Sequence, residues 1–582
     1  MSLFYFSSAQ MAKLENLTKL KNIGTRKDLA DLLGIERRVL SYTLYKEPLS
    51  SKYHTFSIPK KSGSGVRVIK APYPRLKRIQ SRLGKYLSKC LEEIKDEQKF
   101  PHLSFAFQKK LSIKDNALKH VKKRWVLNLD ISDFFSSINF GRVRGFFLKN
   151  KFFQLNDEIA TTIAQIACDE QALPQGSPCS PIISEFIMQP LDVRLLKLAK
   201  KFHLTYSRYA DDITLSTNQK NFPSEVAYPD STAENEWQVS TALRSIVEGA
   251  GFAINEGKTR MQKNCMRQVA TGLVINTKTN VADNYYRTVR SMCHHVFEKG
   301  VYYQNPEDKS KTTDNLNPLT GKLNFIHDVK KNVDKKDSLN LNCENDLTLS
   351  GFDGLYKKFL FYRLFLCLNK PMIVTEGKTD PIYLRCAMEN GKYINQPISY
   401  FSREKSYAEV FRFRDGGSNN LLDIIKLYSE YLHSKRKVRQ IIKNRPCAFP
   451  VILLYDNDDG IKTTSSYVKR NFSIELTTET KNDFYYLFDN LYIVKTPEVK
   501  NKSGDFKTCI EDCFKKETLE KKLGRKTFNR NNKKRSSTEY GKSEFAKKII
   551  SPNAASIDYS GFNGLMARIE NVLDNYKKIK ST

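Results

Sequence analysis

The 582 residues contain no apolar run long enough to cross a bilayer. The longest fully apolar runs, such as "FPVILLY" at 449–455, are strand-sized, against about 20 residues for a spanning helix. The opening "MSLFYFSSAQMAKLENLTKL" lacks a positively charged leader before a clean apolar core, so neither export nor a membrane partner is expected. Disulfide patterning is also missing. The 11 cysteines are scattered and odd in number, which argues against a cross-linked framework and for reduced thiols in a cytoplasm. Cys509 and Cys513, the closest pair, have no second pair and no nearby His, so no zinc site is expected. Negative charge is in short supply: 63 Asp and Glu stand against 97 Lys and Arg, a net charge of +34. That imbalance calls for a polyanionic partner, nucleic acid before an acidic membrane surface.

What is present is the composition of a globular chain, 40% hydrophobic and 27% charged, and long enough for two to four domains. No internal repeat is found. Residues 1 to 50 carry apolar residues at helical spacing. "YHTFSIPKKSGSGVRVIKAP" predicts a β-hairpin around a Gly/Ser loop, and "RLKRIQSRLGKYLSKCLEEIK" a basic amphipathic helix. "RWVLNLDISDFF" predicts a strand entering a turn, "ALPQGSPCSPIISEFI" a loop and helix, and "QVATGLVIN" a further strand. Residues 283–368 are expected to be mainly helical, with polar interruptions near 304–318 and 330–348. From Pro371 onward strands and helices alternate, which predicts an α/β domain. A polar, basic loop is expected at 524–542.

Within "TYSRYADDITLS" the adjacent Asp211 and Asp212 interrupt a strand-forming run. A surface turn accommodates such a pair, and so does a divalent cation. Metal-assisted phosphoryl transfer needs carboxylates from separate segments to hold two ions roughly 3.5–4 Å apart. Asp130, at the end of the apolar "VLNLD", is the candidate from a second segment, although a strand-end Asp is also a common capping residue.

Asp130, then "PQGSP", then "YADD", then "GFAINEGKT" form an ordered set that resembles the palm of reverse transcriptases. The resemblance covers about residues 1–368 and implies a right-hand polymerase of fingers, palm and thumb. It implies that Asp130, Asp211 and Asp212 hold two magnesium ions. It places Phe135 where a bulky residue excludes a nucleotide 2′-hydroxyl, Gln175 and Gly176 along the nucleotide pocket, and Lys258 and Arg67 near the triphosphate of a deoxynucleotide. "LTGKLNFIHDV" resembles the start of a thumb.

Asn116, Ala117 and His120 match the N-A-x-x-H element of bacterial retron reverse transcriptases, and "ATG" at 270–272 resembles their V-T-G, with Ala270 in place of Val. Asn116, His120, Thr271 and Gly272 are thereby implied to contact RNA. The retron resemblance further implies a structured noncoding RNA from the same locus, primed at an internal guanosine 2′-hydroxyl and copied into a branched RNA–DNA hybrid. Host ribonuclease H would trim the RNA. Basic residues interleaved with aromatics suit such a partner. A group II intron-like or other mobile-element enzyme is the alternative.

Past residue 369, Glu376 follows one apolar strand and Asp456 and Asp458 follow another. Acids at the carboxyl ends of strands occupy the usual site of an open α/β sheet. A Glu followed by D-x-D resembles the TOPRIM fold, in particular the overcoming-lysogenisation-defect type of nuclease. The resemblance implies that Glu376 is an acid/base or metal ligand and that Asp456 and Asp458 bind one or two magnesium ions. "RDGGSNNLLDII" resembles the family's Gly turn and helix. Glu511, with Asp512, resembles an added acidic motif and Lys542 a phosphate-steadying lysine, while Asp459 suits a turn. The expected architecture is an α+β right-hand polymerase followed by an α/β TOPRIM domain: fingers and palm over 1–282, an RNA-binding thumb over 283–368, and an effector over 369–582. Such fused retrons act in defence against phage, and self-association is compatible with this layout. A nucleic-acid-binding scaffold without catalysis is the alternative for the C-terminal half.

Overall fold

The structure is a computed structural model that describes residues 14–59, 65–98, 102–230, 236–305, 308, 310–331, 351–391, 393, 397–401, 405–411, 413, 417–433, 442–498, 506–530 and 536–581. The Gly/Ser hairpin loop at 60–64, most of the polar stretch 330–348, the Gly turn at 415–416 and residues 531–535 of the basic loop lie outside the described residues. The chain divides into two compact units, Met1–Asp283 and Asn284–Thr582.

The first unit opens with three short helices, Glu15–Asn22, Arg26–Leu32 and Arg37–Tyr45, as the helical spacing predicts. An antiparallel hairpin follows, β1 (Tyr53–Pro59) and β2 (Val66–Pro72), largely exposed along its length. Helix α1 (Pro74–Gln98) and the short α2 (Ile113–Leu118) lead into β3 (Trp125–Asp130). Helix α3 (Ser180–Lys201) starts with a proline in its first turn, where the missing N–H is not needed. It precedes the hairpin β4 (Thr205–Tyr209) and β5 (Asp212–Thr217). With β6 (Arg260–Lys263) these strands make an antiparallel sheet in the order β4-β5-β3-β6.

Burial explains the sheet's position. Leu127 and Leu129 of β3 and Ile213 and Leu215 of β5 join the main apolar core with Ile183, Phe186 and Leu191 of α3. Phe147, Phe153 and Phe186 meet edge to face within it. One expectation is corrected. "QVATGLVIN" is a tight hairpin, β7 (Val269–Ala270) and β8 (Leu273–Val274), because Thr271 and Gly272 take positive φ of 47° and 80° and reverse the chain.

The second unit begins with helices, among them Asp283–Lys299, Leu316–Lys330 and Gly351–Phe361. Its sheet runs β10-β9-β11-β13-β12, built from β9 (Met372–Thr375), β10 (Ser399–Tyr400), β11 (Val451–Tyr455), β12 (Tyr485–Phe488) and β13 (Leu491–Lys495). All neighbours are parallel except β12 with β13. The central strands are buried throughout, as parallel strands under helices are. Helix α4 (Asp380–Asn390) covers the sheet through Leu384 and Ala387. Helix α5 (Ser418–Leu432) offers Tyr428 and Tyr431 to the ring of Phe361, so the helical segment and the sheet share packing. Among the described residues no helix is long and apolar enough to cross a membrane.

Candidate functional site

The first site is set by strand register. Asp130 ends β3 directly opposite Asp212, the first residue of β5, and Tyr209 pairs with the same Asp212 across the hairpin. Ala210 makes the turn with φ at 56°, a left-handed conformation. The Ile131 N–H donates to the Asp211 carbonyl at 3.1 Å, which closes the join between the two strands. The register thus sets Asp130 opposite Asp212, with Asp211 one position before it.

Their electrostatics follow from crowding and burial. The Asp211 carboxyl lies above the usual range, first because it is buried, then because Asp130 is near, while Lys258 and Arg67 oppose the shift. Asp212 is pushed up to about 6 by burial and by the charges of Asp211 and Asp130. Lys258 Nζ donates to both Asp130 oxygens, at 3.0 and 2.9 Å, and Asn255 Nδ2 approaches one of them at 3.3 Å. Lys258 therefore stands at the carboxylates themselves, and Arg67 on β2 is close enough to bias Asp211.

Gly176 explains how the hairpin β1–β2 reaches this site. Its φ is +130°, and a Cβ there would lie 2.7 Å from the Lys70 carbonyl oxygen. The Lys70 N–H donates to the Gln175 carbonyl at 2.9 Å, so the loop and β2 touch backbone to backbone. Phe135 is half-buried, its ring 5.1 Å from that of Phe134.

Arg208 was not among the expected site residues. It is fully buried, with Nε and Nη2 each 2.8 Å from an Asp192 oxygen, Nη1 3.0 Å from Glu185, and the same Nη1 3.0 Å from the Ala210 carbonyl. The one sequence signal was an arginine inside an otherwise strand-like run.

The residues implied to contact RNA are divided. Asn116 and His120 are fully buried and face the β4–β5 hairpin. Thr271 and Gly272 form the β7–β8 turn, and Thr271 Oγ1 donates to the Ile113 carbonyl at the start of α2.

The second site lies at the carboxyl ends of β9 and β11. Glu376 Oε1 accepts from the Asp456 N–H at 3.2 Å, and Asp456 Oδ1 accepts from the Ile510 N–H at 2.9 Å. Burial, then Asp456 and Asp458, pushes the Glu376 carboxyl up to about 9. Burial, then Asp380 and Glu511, pushes Asp456 up to about 8. Glu511 is fully buried; one oxygen pairs with Lys542 Nζ at 3.0 Å and the other has no hydrogen-bond partner among the described residues. Asp380 is a member of this cluster that sequence reasoning missed; a helix-start Asp gives no such signal. Asp458 Oδ1 caps the Gly460 N–H, whereas the exposed Asp459 pairs with Lys462 and Lys507 as a turn residue. Asp512 points elsewhere, to Arg530 and the Cys509 N–H.

Both clusters offer carboxylate oxygens, the donor set of a hard divalent cation. The Glu511 oxygen without a partner among the described residues, and the half-buried Glu376 and Asp456 with carboxyls raised above their ordinary range, suit one chemically. The side chains are not drawn into a closed cage: among the described residues no group of three His, Cys, Asp or Glu side chains stands ready to hold an ion.

Residues 58–280 match the family profile "Reverse transcriptase (RNA-dependent DNA polymerase)". The chain is 32% identical over 290 residues to the retron Mx65 reverse transcriptase of Myxococcus xanthus, covering 46% of this chain and 62% of that protein, less than two thirds of its length. It is 29% identical over 293 residues to the retron Ec86 reverse transcriptase of Escherichia coli, covering 49% and 84%. A solved telomerase from Candida albicans in complex with a telomeric RNA fragment aligns at TM-score 0.33 and 11% identity over 68% of this chain and 66% of that one, too distant to weigh further. None of these comparisons bears on a TOPRIM domain; the family profile and the curated relatives show that the N-terminal part of this chain is similar to reverse transcriptases, those two relatives being of the retron type.

Proposed function

We propose that the chain is a retron RNA-directed DNA polymerase that copies a structured noncoding RNA of its own locus into a branched RNA–DNA hybrid. The observation that carries this is the register pairing of Asp130 with Asp212 beside the half-buried Asp211. In the proposed reaction a primer hydroxyl oxygen bonds to the α-phosphorus of a deoxynucleoside triphosphate and the bond to pyrophosphate breaks. Asp130, Asp211 and Asp212 would hold magnesium, which when bound supplies Lewis-acid activation of the hydroxyl and neutralises charge on the leaving group. Lys258 and Arg67 present positive charge where the triphosphate would lie. Gln175, Gly176 and Phe135 shape the nucleotide's surroundings. The first strand would start from an internal guanosine 2′-hydroxyl, and host ribonuclease H would trim the template.

We further propose that residues 369–582 are a TOPRIM-like nuclease restrained by the RNA–DNA product and used against phage. Glu376, Asp456, Asp458 and Glu511 would bind magnesium, and Lys542 would steady the cleaved phosphate. The support is the gathering of these residues at the ends of β9 and β11, with Glu511 and Lys542 in contact.

Sequencing the nucleic acid that copurifies with the full chain tests the polymerase reading. A short branched hybrid is expected; a long spliced RNA points to the mobile-element alternative and overturns it. For the nuclease, magnesium-dependent cleavage after removal of the hybrid is expected from the native chain and not from D456A. Equal inertness of both on every substrate leaves the scaffold alternative.

A further inference from the structure

Asn116 and His120 carry the subtype resemblance, yet both side chains are fully buried. A contact with RNA needs exposed atoms, and here those belong to Leu118 and Lys119 between the two residues and to Lys122 and Arg124 just after them. Four hydrogen-bonding groups instead form one connected chain. Ser207 Oγ donates to Asn116 Oδ1 at 2.6 Å, His120 Nε2 lies 2.7 Å from Ser207 Oγ, and His120 Nδ1 lies 2.7 Å from Ser216 Oγ.

The direction of the chain follows from proton counting. Ser207 has one hydroxyl proton and gives it to the Asn116 carbonyl oxygen, so its oxygen accepts from His120 Nε2–H. The Nε2 position then carries the imidazole proton, and Nδ1 accepts from Ser216. The ring is held as one neutral tautomer between two strands.

Those strands are the ones that matter for the first site. Ser207 lies on β4 four residues before Asp211, and Ser216 lies on β5 four residues after Asp212. The register pairs Ser207 with Thr214 and Ser216 with Thr205, so both serines project from the same face of the hairpin. Arg208, one position on, belongs to the opposite face and grips the Ala210 carbonyl. We propose that Asn116 and His120 are positioning residues for DNA synthesis, an inference that rests on the polymerase reading above: through Ser207 and Ser216 they lock the hairpin that presents Asp211 and Asp212.

The A-T-G element joins the same device from its other end. Thr271 Oγ1 donates to the carbonyl of Ile113, the first residue of α2, at 3.2 Å. The A-T-G turn and the β4–β5 hairpin therefore both hold the segment that carries Asn116 and His120, the turn through Thr271 at Ile113 and the hairpin through Ser207 and Ser216.

The test compares full-length wild type with H120Q, S207A, S216A and the serine double variant on oligo-dT annealed to poly-rA, a template foreign to any cognate RNA. The expected result for H120Q is a kcat loss of about 100-fold with the deoxynucleotide KM within about twofold of wild type. Affinity for the RNA that copurifies with wild type is expected to be unchanged. The serine double variant is expected to lose no more than its worse single variant, because both break one chain. Unaltered extension on the foreign template with weakened RNA affinity overturns the inference and returns His120 to an RNA contact. Histidine-selective ¹⁵N spectra of the wild-type chain, with H120Q assigning the resonance among the 8 histidines, decide the tautomer independently of how the variants fold. A proton on Nε2 is expected; a proton on Nδ1 or on both nitrogens overturns the chain. If wild type itself does not extend the primer while its His120 signal is as expected, the polymerase reading fails and the structural lock stands.

Discussion

The guanidinium of Arg208 donates from Nη1 to the carbonyl oxygen of Ala210 at 3.0 Å while Asp192 and Glu185 surround its remaining nitrogens. The residue just before Asp211 is thus tied to α3, the helix that follows the Gln175–Gly176 loop. Burial alone would lower the pKa of this fully buried arginine, but the charges of Asp192 and Glu185 outweigh it and hold the pKa well above the ordinary value.

Removing that cation leaves buried Asp192 and Glu185 with neutral donors in its place, the Tyr206 hydroxyl and the Gln108 amide. R208M is expected to lose about 3–5 kcal/mol of stability. R208K, which keeps the charge and loses the planar fork, is expected to lose DNA synthesis more than stability. Denaturant unfolding beside primer extension separates the two; equal behaviour of R208K and wild type in both assays would show that the fork does not position the turn.

Asp211→Asn and Asp212→Asn are each expected to reduce DNA synthesis by at least about 1,000-fold while leaving the fold intact, because each removes a carboxylate from the proposed metal site. Circular dichroism and single-turnover extension check this. In vivo, loss of the hybrid is expected to change the activity of the second unit as well.

Acid is expected to destabilise the first unit through His120. Burial, reinforced by Lys123 and Lys119, lowers its pKa to about 3, against about 6.5 when unfolded. Between those values the unfolded chain binds more protons, so stability falls as pH falls. From pH 7 to 5 the contribution lost is about 2 kcal/mol. Asp212, with its pKa raised to about 6, acts in the opposite sense over the lower part of that window. Unfolding midpoints of wild type and H120Q at the two pH values isolate the histidine part, and the gap between them is expected to narrow on acidification.

Gly176→Ala is expected to weaken nucleotide use before it unfolds the protein. The new methyl meets the Lys70 carbonyl at 2.7 Å and the backbone is at φ +130°, so the loop and β2 must separate. A raised deoxynucleotide KM with a small drop in unfolding midpoint is the expected pattern.

At the second site, magnesium is expected to raise the melting temperature by ligand linkage, and the part due to this cluster is expected to disappear in a D456N/E511Q variant. Scanning calorimetry with and without magnesium checks it. An unchanged magnesium shift in the variant would remove Asp456 and Glu511 from the proposed ligands.

Much of the first unit was legible because its signals are local. "VLNLD" and "YADD" read locally as apolar strand segments carrying acids at their ends, whereas the pairing of Asp130 with Asp212 joins distant segments. The α/β character past Pro371 was legible for the same reason, as buried parallel strands leave continuous apolar runs such as "VILLY". "QVATGLVIN" was misread as one strand because Thr rarely takes positive φ and its turn chemistry was hidden. Asp380 and Arg208 were missed because a helix-start Asp and a strand Arg look ordinary until another segment arrives beside them.

The sequence by itself determined which residue types stand at strand ends, and therefore that Asp130, Asp211 and Asp212, and separately Glu376, Asp456 and Asp458, were candidates for one chemistry. Only the tertiary structure decided what surrounds them: Lys258 on Asp130, Arg208 on the turn, and Asn116 and His120 buried against the β4–β5 hairpin. The physical reason is that strand and turn preferences act over a few neighbouring residues. Burial and hydrogen-bond direction depend on partners some 90 residues away, as between His120 and Ser216, which no local pattern brings together.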